Sequence, residues 1–473
     1  MSMPDARRSH HADALVQGRL LSGWLPATRN DLHNKFIKHI IQEAQNESMP
    51  YARPSHYADA LQQGLLGSGW LPATVDDLDK FIKHEIQDAQ NEDLVYHPVI
   101  QEFKDLIEND PAIHTKFIQM FKAIPQPATV SDYETLLMLL NRAVCRVPTY
   151  DPSPYDSNEE FSGFYIHAIL MAVIVNKHGC NAFVDNRVHK QFCKIQSVWR
   201  NFYKTPASAD QLTVENGGWL SPNVIKIFET YVGNFMEAFE CDPDEPHWGF
   251  DSWDHFFTRA FRPPMRPLEF PDNPSIINSA CESTVFRIAP NIQETDMFKL
   301  KQQNYSLKGM LDNDPLAPRF AGGTVYQAFL STTDYQRWHS PVSGRIIKTR
   351  VVPGTYCTLA PALCDDDAVL KTTQTYLIAV ATRAIVFIES DNPNIGLMCF
   401  IAVGTIEISS CEITVQEGSN VKRGDQLGIF HSGGSAHCLI FRPETKLEFI
   451  VDEHTGHVPL RSAIARALSN SDN

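Results

Sequence analysis

Five prolines fall between residues 263 and 274, in the run Pro263-Pro264-Met265-Arg266-Pro267 followed by Pro271 and Pro274. A proline has no N–H to give and a fixed φ, so neither a helix nor a central strand continues through such a segment. It divides the chain into halves of different periodicity. Before it, from Val99 to about Phe239, apolar residues recur at helical spacing. Ile100, Phe103, Leu106 and Ile107 form one stripe that stops at Asn109-Asp110-Pro111, and Ile113, Phe117, Met120, Phe121 and Ile124 form the next. After it come short β-type runs at Thr324 to Leu330, Arg345 to Val352, Ile385 to Ile388, Met398 to Val403, Cys438 to Phe441 and Leu447 to Val451. Gly418, Val421, Gly424, Leu427 and Gly428 set glycines at the corners of tight turns, the punctuation of a small barrel or sandwich. The expected class is α+β, a helical N-terminal region followed by a strand-rich barrel or sandwich domain.

The N-terminus carries a duplication. Gly23-Trp24-Leu25-Pro26-Ala27-Thr28 returns as Gly69-Trp70-Leu71-Pro72-Ala73-Thr74, and Lys35-Phe36-Ile37-Lys38-His39 as Lys80-Phe81-Ile82-Lys83-His84. In each copy a Pro and a Thr precede an acidic turn and an apolar-periodic helix. Two copies are too few for a solenoid, which needs about three repeats to bury a shared core. The expected organisation is a duplicated helical arm over 1–92 (copies 2–47 and 48–92), a helical region over 93–262 and a β-rich domain over 275–473. Pro148 to Ser157, with three prolines, reads as a loop between helices.

Charge and cysteine usage narrow the function. A net charge of −15 opposes non-specific nucleic-acid binding and docking onto anionic membranes, so neither partner is expected. The longest apolar run, Ala168 to Val175, is far shorter than the roughly 20 residues of a spanning helix and reads as a buried helix. Met1 to Leu15 hold no apolar stretch of the kind that opens a secretory signal. Ten cysteines are scattered without a Cys-x-x-Cys pair, which fits a reducing, cytoplasmic location better than a disulfide framework. His189 and Cys193 share a helical spacing but are too few ligands to hold a metal, and none is expected.

The segment that carries chemistry is Gly433-Gly434-Ser435, behind Gly424-Asp425-Gln426-Leu427-Gly428-Ile429-Phe430. Glycines allow backbone conformations closed to other residues and leave the Gly434 carbonyl open to attack. If the Ser435 hydroxyl attacks it, the amide becomes an ester; β-elimination then breaks the chain and leaves dehydroalanine, which takes up water and loses ammonia to become an N-terminal pyruvoyl group. A serine needs a base, for which His339 in Asp334-Tyr335-Gln336-Arg337-Trp338-His339-Ser340-Pro341 is the candidate. Glu282, in Ser279-Ala280-Cys281-Glu282-Ser283, is a candidate acid to hold His339 in the right tautomer.

Those residues resemble a known family. Gly-x-x-x-Gly-x-Phe followed by Gly434-Ser435, the Tyr-x-Arg-x-His-x-Pro segment 335–341, and Phe256-Phe257-Thr258-Arg259 leading to Arg266-Pro267 look like phosphatidylserine decarboxylases over roughly Ser252 to Val451. Val99-Ile100-Gln101-Glu102-Phe103-Lys104, Asn109-Asp110-Pro111, Ala280-Cys281-Glu282-Ser283 and the Gly-Gly-Ser form further resemble the soluble fungal L-tryptophan decarboxylases of that family. The resemblance implies that Ser435 is the pyruvoyl precursor, Gly434 the residue before the cut, His339 the triad histidine, and Glu282 the group standing where the family has aspartate. It implies a long β chain, 1–434, and a short α chain, 435–473, from one precursor. The implied reaction is decarboxylation of a small aromatic amino acid, tryptophan to tryptamine above all, with the ketone taking up the electrons released as CO2 leaves. A phosphatidylserine decarboxylase, or a silent member of the family kept for interaction, are the alternatives. The sequence departs from the family at Gln336, where a second histidine is common, and at Ala436, where Thr or Ser is commoner. Glutamine is no general acid near neutral pH, so Gln336, His431 and His437 become candidates for substrate or proton-transfer roles.

Overall fold

Asp110 ends one helix and starts the next, and so ties two elements together. Its side chain accepts from the Ala112 and Ile113 amides at 3.0 and 3.2 Å, while its own N–H closes the preceding helix on Leu106 O. Pro111 then occupies the first helical position, where its missing N–H costs nothing. The protein, in a computed structural model, is described for residues 75–91, 94–124, 128–147, 166, 169–170, 173, 177–183, 185–215, 217–294, 306–331, 333–354, 381–405, 410–431 and 434–469. All lie in the unit Pro50–Asn473. The first repeat, most of the second and the loop expected at 148–157 lie outside the described residues.

The helical half comprises α1 (Val75–Gln90), α2 (Pro98–Asn109), α3 (Pro111–Lys122), α4 (Tyr133–Ala143), α5 (Lys177–Phe183) and α6 (Asn186–Tyr203). The stripes expected in α2 and α3 are the ones buried: Ile100, Phe103 and Ile107 in α2, and Ile113, Phe117, Met120 and Phe121 in α3. Leu106 alone sits at the margin. α1 starts directly after Pro72-Ala73-Thr74, as the repeat pattern implies. Of the apolar run 168–175, Ile169, Leu170 and Val173 are described, and all three are helical and buried. Among the described residues no helix is long and apolar enough to cross a membrane. α7 (Pro222–Val232), α8 (Phe235–Ala238) and α9 (Trp253–Phe257) then lead through the proline-rich segment into the strands.

The strands are β1 (Ile276–Asn278), β2 (Ser283–Ala289), β3 (Thr324–Leu330), β4 (Arg337–His339), β5 (Gly344–Val352), β6 (Arg383–Ser390) and β7 (Leu397–Thr405), then β8 (Ser410–Ile413), β9 (Asn420–Val421), β10 (Gln426–His431), β11 (Gly434–Phe441), β12 (Leu447–Phe449), β13 (His457–Val458) and β14 (Ala463–Ala467). They form open sheets: eight strands in the order β13-β2-β3-β11-β7-β6-β5-β9, and two three-stranded sheets, β1-β14-β12 and β4-β10-β8. The barrel-or-sandwich alternative therefore resolves to packed, unclosed sheets. One face of the large sheet meets the small sheets through a core that includes Trp338, Phe400, Phe430, Leu439 and Ile464. The other is covered by the short helix α10 (Leu307–Met310) and the turn Ala317–Phe320, against Phe387, Cys399 and Ile440. The buried Arg383 guanidinium fastens α10 to β6, donating to Met310 O and Gly309 O at 2.7 Å each.

Glycine is required where the small sheet closes. A Cβ on Gly428 would lie 2.2 Å from Glu412 O and 2.2 Å from Trp338 Cζ2, so β10 can approach both β8 and the indole only without a side chain. Gly428→Ala should therefore cost about 2 kcal/mol of stability through forced displacement of packed backbone. Urea unfolding is expected to show a lower midpoint with an unchanged slope.

Candidate active site

Ser435 owes its position to β11, the fourth strand of eight, hydrogen-bonded on both sides. It faces Leu330 of β3 and Gly404 of β7, and the register runs unbroken to Phe441. Alternation along the strand sends Ser435, His437, Leu439 and Phe441 into the space between the sheets, and Ala436, Cys438 and Ile440 toward α10. Ser435 is 4% exposed, and its hydroxyl donates to Gln336 Oε1 at 2.8 Å. Gly434, immediately before it, opens the strand opposite Thr405. Gly433 lies outside the described residues.

Gln336 is held in place on three sides. Its amide nitrogen donates to Ser331 O at 2.6 Å and Asp334 O at 3.3 Å, which fixes Oε1 as the end turned to the serine. Its main-chain carbonyl accepts from the Phe430 N–H at 2.8 Å. The segment around it is gripped by the end of α9: Arg259 donates to Thr333 O at 2.6 Å, and Arg337 donates to Thr258 O at 2.7 Å. The Arg259 guanidinium is buried between the rings of Phe228 and Phe239, at 4.5 and 4.4 Å, and burial lowers its pKa to about 9. The Phe-Phe-Thr-Arg motif thus works as a bracket for the residue that touches Ser435.

His339 does not make the contact expected of it. Among the described residues no hydrogen bond joins it to Ser435; Gln336 stands there instead. The reason is parity: in an extended segment, residues three apart project to opposite sides, so Gln336 and Trp338 face the inter-sheet core while Tyr335 and His339 face away. His339 Nδ1 lies 2.9 Å from Gly424 O, a pure acceptor, so Nδ1 carries the proton and Nε2 accepts from the Tyr335 hydroxyl at 3.3 Å. Burial lowers the imidazole pKa to about 3, so the ring is neutral at physiological pH.

Glu282 likewise does not meet His339. It receives two hydrogen bonds from Arg266, at 2.6 and 3.0 Å, and one from the Leu460 amide at 2.8 Å. His457 Nε2 stands 3.5 Å from Glu282 and 3.3 Å from Asp334, with its ring stacked on Tyr231 at 3.9 Å. Burial pushes the Glu282 carboxyl up, against the opposing pull of Arg266. The acid expected to orient the histidine is the counter-ion of the arginine that leaves the proline-rich segment.

The two further histidines part ways. Both ring nitrogens of His431 are engaged by carboxylates, Nδ1 with Asp254 at 2.9 Å and Nε2 with Glu412 at 2.9 Å, so it pins the end of β10 to α9 and β8. His437 lies on the same face as Ser435, wholly buried, with neither nitrogen hydrogen-bonded among the described residues. Tyr335, Asp254, Asp334 and His457 were not singled out from sequence. Asp254 meets His431, and His457 meets Glu282 and Asp334, across more than a hundred residues of chain; only the four-residue spacing of Tyr335 and His339 carries a signal in sequence.

Comparison with known proteins places the chain in a family. A phosphatidylserine decarboxylase family model matches residues 253–464, and a second model of that name matches residues 97–227. The chain is 47% identical to Decarboxylase iboD of Amanita muscaria over 57% of its own length and 81% of that protein. It is 36% identical to an L-tryptophan decarboxylase of Psilocybe cubensis over 74% of its length and 82% of that protein. Phosphatidylserine decarboxylase proenzyme 3 of Schizosaccharomyces pombe is 31% identical over 49% of this chain and 23% of its own.

The Arg266–Glu282 pair gives a pH-dependent expectation. Arg266→Met removes the cation that opposes the effect of burial on Glu282, so the folded carboxyl, already raised in wild type, binds its proton over a still wider range where the unfolded chain has released it. Acidification then favours the folded variant. The variant should be roughly 3 kcal/mol less stable than wild type near pH 7, with the deficit narrowing toward about pH 5. Urea titrations of both proteins at the two pH values measure it.

Proposed function

The chain belongs to the phosphatidylserine decarboxylase family and is a carboxy-lyase; from that premise we propose that it is a pyruvoyl-dependent decarboxylase of aromatic L-amino acids, with L-tryptophan to tryptamine and CO2 the favoured reaction. The observation that carries the proposal is the buried Ser435 hydroxyl, oriented by Gln336 at the first residues of a fully paired strand and directly after a glycine carbonyl. The relatives matched over about four fifths of their length include the tryptophan decarboxylase, which supports the substrate class.

In this reading the chain cuts itself between Gly434 and Ser435. Ser435 Oγ adds to the Gly434 carbonyl carbon and the peptide C–N bond breaks, the hydroxyl proton ending on the freed nitrogen, so the shift to an ester is an isomerisation. Loss of the Ser435 α-proton then breaks the Cβ–Oγ bond, frees the Gly434 carboxylate, and leaves dehydroalanine that exchanges its nitrogen, as ammonia, for the oxygen of a water. Gln336 orients the hydroxyl without itself taking a proton. His339 and Tyr335 brace the far side of the same segment through Gly424, and Arg266–Glu282 braces β2. The residues fit the small group that results: Gly404 stands beside Ser435, Gly434 precedes it, and a polar amide, not a charged group, meets it. When formed, the pyruvoyl group supplies a carbonyl that withdraws electrons as CO2 departs. The protein's part is to bury that position, align it against Gln336 and exclude water.

The described cysteines are free thiols, which supports a cytoplasmic setting. The partners are then the amino acid and the two chains of one precursor, with no nucleic acid and no stable membrane association.

Intact mass spectrometry tests the cut and the pyruvoyl mass together. Wild type should run as 1–434 and 435–473, and Ser435→Ala should stay whole; active wild type found as one unmodified chain would refute the proposal. Gln336→Leu should slow cutting by roughly tenfold to a hundredfold, the worth of one buried hydrogen bond to the reacting hydroxyl. Gln336→His, which restores an acceptor, should keep it. Assays on free tryptophan and on phosphatidylserine vesicles separate the proposed substrate from a lipid; turnover of the lipid alone would reassign it.

A further inference from the structure

His457 is a buried histidine to which the self-cutting scheme gives no part. β13 sets its backbone against Thr284 of β2, and the Tyr231 ring of α7 lies flat on the imidazole, with centroids 3.9 Å apart and planes within 2°. Three residues on, the Leu460 amide donates to Glu282 Oε1 at 2.8 Å and fixes the return of the chain. The imidazole is therefore held on one face and at both ends of its turn, with its side chain 6% exposed. Its Nε2 faces two carboxylates, Asp334 Oδ1 at 3.3 Å and Glu282 Oε2 at 3.5 Å, and is aligned for a full hydrogen bond with neither. A bare lone pair there would meet only negative oxygens, so Nε2 carries a proton and shares it between them. The cations nearby are committed elsewhere. Arg266 is bidentate on Glu282, and Arg259 donates to the Thr333 and Asp334 carbonyls. Both acids are buried, so the side of Asp334 that faces Glu282 depends on His457 for a donor.

Asp334 connects this histidine to the site. Its Oδ2 accepts from the Ser331 amide at 2.7 Å, and its own amide donates to Ser331 O at 3.1 Å. Ser331 O is also the acceptor, at 2.6 Å, of the Gln336 side-chain amide, whose oxygen takes the Ser435 hydroxyl at 2.8 Å. We propose that His457 is a positioning residue for Gln336: its Nε2–H fixes the Asp334 carboxylate, the carboxylate fixes the turn at Ser331, and Ser331 O aims Gln336 at Ser435. The proposal rests on the reading of Ser435 as the reacting centre. His457 acts wholly through Asp334, and Glu282 centres the imidazole from the opposite side. A donor at this point keeps two buried carboxylates at a set separation, which an apolar ring of the same shape cannot do. His457 follows Ser435 in the chain, whereas Asp334, Glu282 and Tyr231 all precede it. After the proposed break, the short chain would therefore hold the turn that faces its own first residue.

The test uses the full chain and two measurements. The first is the rate of self-cutting, followed by intact mass from the newly made precursor. His457→Phe keeps a ring against Tyr231 but loses the donor, and should cut about tenfold more slowly than wild type. His457→Gln puts an amide N–H where Nε2 stands and should restore most of the rate. Asp334→Asn keeps an acceptor for the Ser331 amide but removes the charge that His457 faces, so His457→Phe should cost little more in that background. The second measurement is hydrogen exchange in Ser435→Ala, where no cut can occur. Adding His457→Phe should speed exchange of the peptide carrying the Ser331 amide about tenfold and leave β6 and β7 unchanged, whereas a general loss of stability would speed all of them. A wild-type cutting rate in His457→Phe, failure of His457→Gln to recover it, or independent multiplying effects of His457→Phe and Asp334→Asn would overturn the proposal. Wild type that is never cut, with exchange responding as stated, would refute Ser435 as the reacting centre and keep His457 as the support of Gln336; a cut wild type with unresponsive exchange would do the reverse. If His457→Phe does not fold, Asp334→Asn alone carries the rate comparison, and a wild-type rate in it refutes the link.

Discussion

The register of β11 between β3 and β7 is the constraint on which the site depends. A ladder without a slip from 434 to 441 decides which residues look inward. Displacement by one residue would turn Ser435 and His437 toward α10 and put Ala436 and Cys438 between the sheets. The apolar residues at 439 and 441 on one face and at 438 and 440 on the other make such a slip costly, because both faces are buried. The packing of the sandwich and the aim of the serine are therefore one property.

Arginines couple the helical half to this sheet, mostly through backbone carbonyls. Arg259 reaches Thr333 O, Arg337 reaches Thr258 O, and Arg266 joins Tyr231 O to the Glu282 carboxylate. Guanidinium groups suit the work, since a planar fork with five donors can satisfy several oxygens at once. The rings of Phe228 and Phe239 around Arg259 explain why aromatic residues crowd the stretch before the proline-rich segment. The helices thus hold the loop that presents Gln336, and so bear on the site without entering it.

Local physics made much of the fold legible. Asn109-Asp110-Pro111 marked a helix junction because capping and a missing N–H are properties of neighbouring residues. β3 coincides with the apolar run Thr324 to Leu330, and Gly418 and Gly424 take the positive φ that their turns require. β1, β2, β4, β8, β10 and β14 were harder, being short, half-exposed or rich in alanine and serine, so that pairing and not propensity makes them strands. At the site, Ser435 and Gly434 could be read from a contiguous motif. The actual partners of Glu282 and His339 could not, because which side of a strand a residue faces and which distant arginine claims a carboxylate are settled only by the fold. Gln336 reads as a lost histidine in sequence; in space its Oε1 accepts the serine's hydrogen bond.

Segment 435–473 supplies β11 near the middle of the large sheet, β13 at its edge, and β12 and β14 in a small sheet. A break before Ser435 would leave β11, β13 and β14 paired with strands of the other fragment, and β12 attached through β14. Dissociation would then require dismantling two sheets, so the pieces remain together in native conditions. Once unfolded, however, they would have to find each other by diffusion, and recovery would depend on protein concentration. On that reading folding would come first and cutting second, a ratchet in which the native state would be reached as one molecule and, after the break, would not be readily reached again.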